Sequence, residues 1–172
     1  EMCIRDRGGT RFKPRHLAAR SDWGLGWMTM SARFKRSRTD VVVHIIWATK
    51  QREKVISPDS DLGLQAFLRR KAESLRCDVF AVGNSDDHVH VVVRLAPTVA
   101  MATLVRHLKG ALSFAWNNEM PRDRRLAWQD GYWAESCAPR HLDRLLTYVT
   151  HQRQHHATGA ILAAHEDPDP TA

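Results

Sequence analysis

His88 and His90, in the stretch Asp86-Asp87-His88-Val89-His90-Val91-Val92-Val93-Arg94, are the first residues in this chain whose types and spacing suit chemistry. Val89, Val91, Val93 and Leu95 alternate with His88, His90, Val92 and Arg94. That is the period of a β-strand, which sends successive side chains to opposite faces, so the two imidazoles share one face at its start. An imidazole pair suits a divalent ion, but two nitrogens do not complete a site, and an isolated pair is more often two half-exposed strand histidines. A third group must come from elsewhere. Leu142 to His156 offers candidates: Leu142, Leu145, Leu146 and Val149 recur with the helical period and form one apolar face. Tyr148 and Gln152, four residues apart, lie one turn apart on a neighbouring face, joined by His151 and His155. That face carries a nucleophile and several potential ligands; taken alone it would be a solvated face with a tyrosine at its edge.

The elements that must position these residues can be read in order. Val41 to Ala48 is a β-branched, alternating strand that carries His44, for which packing in the sheet is expected rather than ligation. A charged loop follows at Lys50–Lys54. Ser57-Pro58-Asp59 opens a helix running to about Arg76, with Leu62, Leu64, Phe67, Leu68 and Leu75 as its apolar contacts. Cys77 to Asn84 is a short strand, and Asn84-Ser85-Asp86 turns it into the histidine strand as a hairpin. Pro97-Thr98 begins a second long helix with Met101, Leu104, Val105, Leu108, Leu112 and Phe114 as its core stripe. Pro121 to Arg125 is a basic loop, Ala127 to Cys137 a fourth strand containing Gly131 and Tyr132, and Ala138-Pro139 introduces the tyrosine helix. Tyr132, Trp116, Trp128 and Trp133 are expected to pack rather than to react or stack on bases. The order is βαββαβα: an α+β fold with a ferredoxin- or RRM-like antiparallel sheet, helices on one face, and a C-terminal tyrosine-bearing helix.

A strand HxH followed by a helix with Tyr148 and, four residues on, Gln152 resembles the single-tyrosine HUH transposases of the IS200/IS605 type, within the superfamily that includes REP-associated tyrosine transposases. Val42-Val43-His44-Ile45-Ile46-Trp47-Ala48-Thr49-Lys50 and Trp128-Gln129-Asp130-Gly131-Tyr132 are similar to the family's context, and the likeness covers roughly residues 38 to 157 in the family's order. The resemblance implies that His88, His90 and Gln152 hold Mg²⁺ or Mn²⁺ and that Tyr148 attacks a phosphodiester of single-stranded DNA. It implies cleavage and rejoining at the hairpin-bearing ends of an insertion element through a 5′-phosphotyrosine. It also implies a homodimer in which the tyrosine helix of one subunit completes the site of the other. Asp87, His151 and His155 are candidate auxiliaries for removing the tyrosine proton, between which the sequence does not choose. Two other readings stand beside this one: a host-retained tyrosine nuclease acting on repeated hairpins, and a non-catalytic RRM-like module. The module would show exposed aromatics on its central strands; His88 and His90 stand there instead, and Phe80 is solitary.

Charge alone does not identify a nucleic-acid binder. Of the chain's +7, residues 1–36 supply nine Lys/Arg against three Asp/Glu, leaving 17 against 16 for the remainder. Arg106 and Lys109 on the second helix, with Arg122, Arg124 and Arg125 after it, are the candidate phosphate contacts. The basic leader, residues 1–36, mixes Gly, Arg and Trp without period and is expected to lie outside the native fold, with Met28 or Met30 the more natural start; a basic arm on DNA is the rival reading. Residues 37–157 form the expected transposase domain, and 158–172, rich in Ala, Asp and Pro, a flexible tail. Cys3, Cys77 and Cys137 suggest neither a disulfide framework nor a zinc knuckle. Without an apolar run of membrane-spanning length, a cytoplasmic protein is expected.

Overall fold

A computed structural model describes residues 39–160. Four strands form one antiparallel sheet: β1 (Val42–Ala48), β2 (Asp78–Asn84), β3 (His88–Arg94) and β4 (Trp133–Ser136), in the spatial order β2-β3-β1-β4. The histidine strand β3 is therefore central, paired on one side with β1 and on the other with β2 through the expected hairpin. Four helices complete the domain: α1 (Asp61–Ser74), α2 (Met101–Glu119), α3 (Pro139–Thr150) and α4 (Gln152–Thr158).

Strand alternation sorts the side chains into two layers. Val43, Ile45 and Trp47 of β1 and Val89, Val91 and Val93 of β3 face α1 and α2, where Leu64, Leu68, Leu104, Leu108, Leu112 and Trp116 meet them in the main core. Val42 and Val92 point the other way, into a smaller cluster with Ala81, Leu145, Tyr148 and Val149 beneath α3. Helices thus cover both faces, and the C-terminal pair lies on the face that carries His88 and His90.

Four expectations on the elements change. Leu62 is 83% exposed and Phe114 72% exposed; each sits about two residues out of phase with its helix's buried stripe, close to the opposite side at 100° per residue. The second helix starts at Met101, after a turn at Pro97-Thr98, because Ala100 is still extended (φ −70°, ψ 140°). The fourth strand shrinks to Trp133–Ser136, with Trp128 making only an isolated bridge to Thr49. The stretch between is held by Lys109, whose ammonium donates to the Gln129 and Gly131 carbonyls at 2.7 and 2.6 Å, and Gly131 takes a left-handed φ of 79°. Lastly, the tyrosine helix is two helices, α3 and α4, broken at His151 (φ −103°, ψ 21°). The expected leader and most of the tail lie outside the described residues.

Candidate active site

His88 and His90 fall in the middle of the sheet, so both are almost fully buried. A buried imidazole needs partners for its ring nitrogens. His88 Nδ1 lies 2.5 Å from the Asp87 carboxylate, which accepts its proton; that leaves Nε2 with the lone pair, 3.3 Å from the Gln152 amide. His90 Nδ1 lies 3.0 Å from Nε2 of His44, also buried, on β1. The two rings of the HxH pair meet edge to face, 5.0 Å apart.

The other half of the site comes from α3 and α4. Tyr148, only 2% exposed, sits with its ring edge to face with His90 at 6.3 Å and under the ring of His155, stacked at 4.7 Å. Gln152, buried at the first position of α4, reaches His88 on one side and Nε2 of His156 on the other, at 2.9 Å. The ring of His156 lies against that of His88 at 4.6 Å. The approach of α3 to the sheet is made possible by Gly83 on β2: a Cβ there would lie 1.8 Å from the Val149 carbonyl oxygen. Only glycine admits so close a backbone.

Arg153 pins this arrangement from outside. Its guanidinium donates to both oxygens of Asp61, in the first turn of α1, at 2.7 Å each, to Asp86 in the hairpin turn and to the Ile56 carbonyl at 3.1 Å. Asn84, also buried, extends the network by donating to Asp61 and accepting from Gln65.

The electrostatics disfavour a charge on His90. Burial pushes His90 well below the usual imidazole range, and the neighbouring His88, His44, His156 and Arg52 push it further down. Burial raises the Asp87 carboxyl, but the hydrogen bond and charge of His88, with Arg52 and His156, outweigh this and leave it below its usual value. The result is a carboxylate hydrogen-bonded behind the His88 ring, the arrangement that orients a metal-binding histidine and raises its basicity. Two imidazoles and an amide are a borderline donor set of a kind that fits a first-row divalent ion. Among the described residues no group of three or more His, Cys, Asp or Glu is placed to hold an ion.

Of the residues singled out in the sequence, His88, His90, Tyr148, Gln152, Asp87 and His155 come together. His151 does not: it sits exposed at the helix break with Nδ1 2.8 Å from the Thr147 carbonyl. Lys109 turns its ammonium to the loop carbonyls of Gln129 and Gly131; burial lowers its pKa, with Asp130 opposing. Arg106 is exposed on α2, in the layer across the sheet from the histidines. Arg122, Arg124 and Arg125 are exposed after α2, with Arg124 lining a recess shared with Lys54 and Asp86. Trp116 and Trp128 pack as expected, their indoles donating to the Arg124 and Lys109 carbonyls, whereas Tyr132 is more exposed than a packing role requires. Sequence reasoning missed His156, although its spacing of four from Gln152 signalled it, and missed Arg153, whose partners lie in three distant segments.

The chain is similar to known proteins in sequence and in fold. Residues 37–152 match the family model described as "Transposase IS200 like". Over 93 residues the chain is 29% identical to the ISDra2 transposase TnpA of Deinococcus radiodurans, spanning 54% of this chain and 66% of that protein's length. A crystal structure of a Deinococcus radiodurans protein described as a transposase superposes with a TM-score of 0.53 at 24% identity, over 70% of this chain and 98% of that one. A REP-associated tyrosine transposase bound to a REP hairpin gives 0.51 at 11% identity, over 76% of each chain. These two likenesses are of fold. With the family model covering well over half of its residues, the chain belongs to the IS200-like tyrosine transposases.

Proposed function

We propose that this chain cleaves and rejoins single-stranded DNA by transesterification at Tyr148. The observation that carries the reading is the convergence, within a single chain, of a tyrosine, the HxH pair and an amide on one face of the sheet. In the forward step the Tyr148 oxygen attacks phosphorus, the P–O3′ bond breaks, and the departing strand takes the proton as a free 3′-OH. The DNA stays attached as a 5′-phosphotyrosine. Because the ester conserves the bond, a 3′-OH attacking in reverse restores a phosphodiester and the phenol without an external energy source.

His88 and His90 through Nε2, with Gln152, would hold Mg²⁺ or Mn²⁺. When bound, such an ion neutralises charge developing on the phosphate. Asp87 fixes the tautomer of His88, and the ring of His155 stacks on that of Tyr148 and covers it. Tyr148 is buried beneath His155, so a phosphate reaches it only when α4 moves; the break at His151 is where the backbone already departs from helix. The hairpin bound by the REP-associated relative makes hairpin DNA the first substrate to try.

The test is to incubate the chain with labelled single-stranded hairpin oligonucleotides and Mn²⁺ or Mg²⁺, then look for a denaturant-resistant protein–DNA adduct. The adduct is expected in the wild type, and its disappearance is expected both with chelator and in Tyr148→Phe. Binding without adduct across a broad oligonucleotide set would overturn the reading in favour of a binding module. A homodimer exchanging α3 and α4 would rebuild the same site from two copies; mixing Tyr148→Phe with His88→Ala chains should then restore adduct formation.

A further inference from the structure

We infer that His44 is a positioning residue, which together with Glu135 fixes His90 in the tautomer that leaves Nε2 as its lone-pair nitrogen. The inference rests on the reading that His88 and His90 hold an ion.

His44 is fully buried on β1, opposite Val92, while His90 pairs with Ile46; the two imidazoles are thus diagonal neighbours on one face. Their nitrogens, His44 Nε2 and His90 Nδ1, are 3.0 Å apart, and the rings are nearly parallel at 22°. Between two neutral imidazoles at this distance one proton is shared, and it belongs either to His90 Nδ1 or to His44 Nε2. The choice has a chemical consequence. If His44 donates, His90 must carry its proton on Nε2 and cannot ligate through it. If His90 donates, its Nε2 is bare.

Glu135 decides between them. On β4, paired opposite His44, its Oε1 lies 3.6 Å from His44 Nδ1. That is longer than a hydrogen bond, but a half-exposed carboxylate facing a fully buried ring at this range favours a proton on the nitrogen that faces it. His44 then carries its proton on Nδ1 and accepts on Nε2, so His90 donates from Nδ1. The edge of Trp133 against the His44 ring, at 5.8 Å and 83°, holds the ring in that plane. The outcome for His90 equals what Asp87 achieves for His88: both rings are protonated on Nδ1 and both keep the Nε2 lone pair. One imidazole is set by a carboxylate directly, the other through a neutral relay across three strands, β3, β1 and β4.

The experiment uses the full chain with ¹⁵N-labelled histidine. Long-range ¹H–¹⁵N spectra of the metal-free protein report which nitrogen of His90 is protonated, and a Mn²⁺ titration followed by electron paramagnetic resonance reports affinity. In the wild type His90 should be protonated on Nδ1. His44→Phe should lose that signature and weaken Mn²⁺ binding by about 10–100-fold, the usual cost of removing a group that orients a metal-binding histidine. His44→Gln, whose amide oxygen accepts the same proton, should keep most of both. Glu135→Ala, at a half-exposed position, tests the relay without opening the core and should shift both readouts in the same direction by less. A wild type with His90 protonated on Nε2, or a His44→Phe protein with unchanged tautomer and affinity, overturns the inference. If the wild type binds no Mn²⁺, the metal reading fails, while the metal-free spectra still decide the tautomer.

Discussion

The two faces of the sheet are built on opposite principles. Towards α1 and α2, β1 and β3 present Val, Ile and Trp to leucines, and that layer carries the bulk of the apolar burial. Towards α3 and α4 the same strands present His44, His88 and His90, the apolar cluster shrinks to six buried residues, and the cover is held by hydrogen bonds, ring contacts and one arginine. Dispersion and hydrophobic burial tolerate no opening without a large cost, whereas directional polar contacts can be exchanged for contacts to a ligand. One face keeps the fold, and the other is free to be a site. The buried nucleophile fits that division: Tyr148 sits under the face that polar contacts hold.

The largest effect should come from the apolar face. Leu108, fully buried among α2, α1 and the sheet, should cost about 2–5 kcal/mol when changed to Ala, through lost burial and the cavity left behind. Denaturant unfolding measures this. The contrast requires that adduct formation per folded molecule stay near wild type; a loss of activity beyond the loss of folded protein would show that the faces are not separable.

Gly83→Ala works from the other side. The new Cβ would meet backbone, not a flexible side chain, at 1.8 Å from the Val149 oxygen, so α3 must move outward and carry Tyr148 with it. A displacement of about 1 Å in a positioned group costs roughly 100-fold in rate. The adduct rate should fall by that order while the α1/α2 layer, read by hydrogen exchange of α2, stays protected. If α2 loosens as much as α3, the Gly83 contact supports the whole domain and the division fails.

How much of this division was legible in the sequence depended on the kind of order involved. The strands were readable because Val and Ile alternate with other residues, and the pairing of HxH with Tyr148 and Gln152 was readable through a resemblance. The break at His151 is not, because nothing in Tyr148-Val149-Thr150-His151-Gln152 lacks helical compatibility; it shows only in the backbone at His151. Phe114 and Leu62 misled because apolar type was counted without its phase. For Lys109 the sequence shows a charge but not its partners: only the fold reveals that the loop at 129–131 takes its ammonium as a donor. A single histidine on a strand, His44 carries no pattern in the sequence, and its contact with His90 appears only when β1 is laid beside β3.

The smallest effect should come from Arg153→Ala, and it bears most directly on how the polar face opens. Arg153 joins α4 to the first turn of α1 and to the hairpin turn, so it ties the site's cover to the scaffold around the end of the sheet. Its side chain is only partly shielded, and ion pairs near a surface are worth about 0–1 kcal/mol in most measurements. Global stability should therefore change little. Local stability should change more, since α4 has seven residues and Gln152 is the one that the helix buries; a short helix that loses its tether frays at low cost. Amide exchange should accelerate in α4 while α2 is unaffected, and Mn²⁺ affinity should drop because Gln152 and His156 lose their fixed placement beside His88. Equal exchange in α4 with and without the arginine would mean that the ring contacts of His155 and His156 hold the cover by themselves, and that opening the site requires breaking those contacts first.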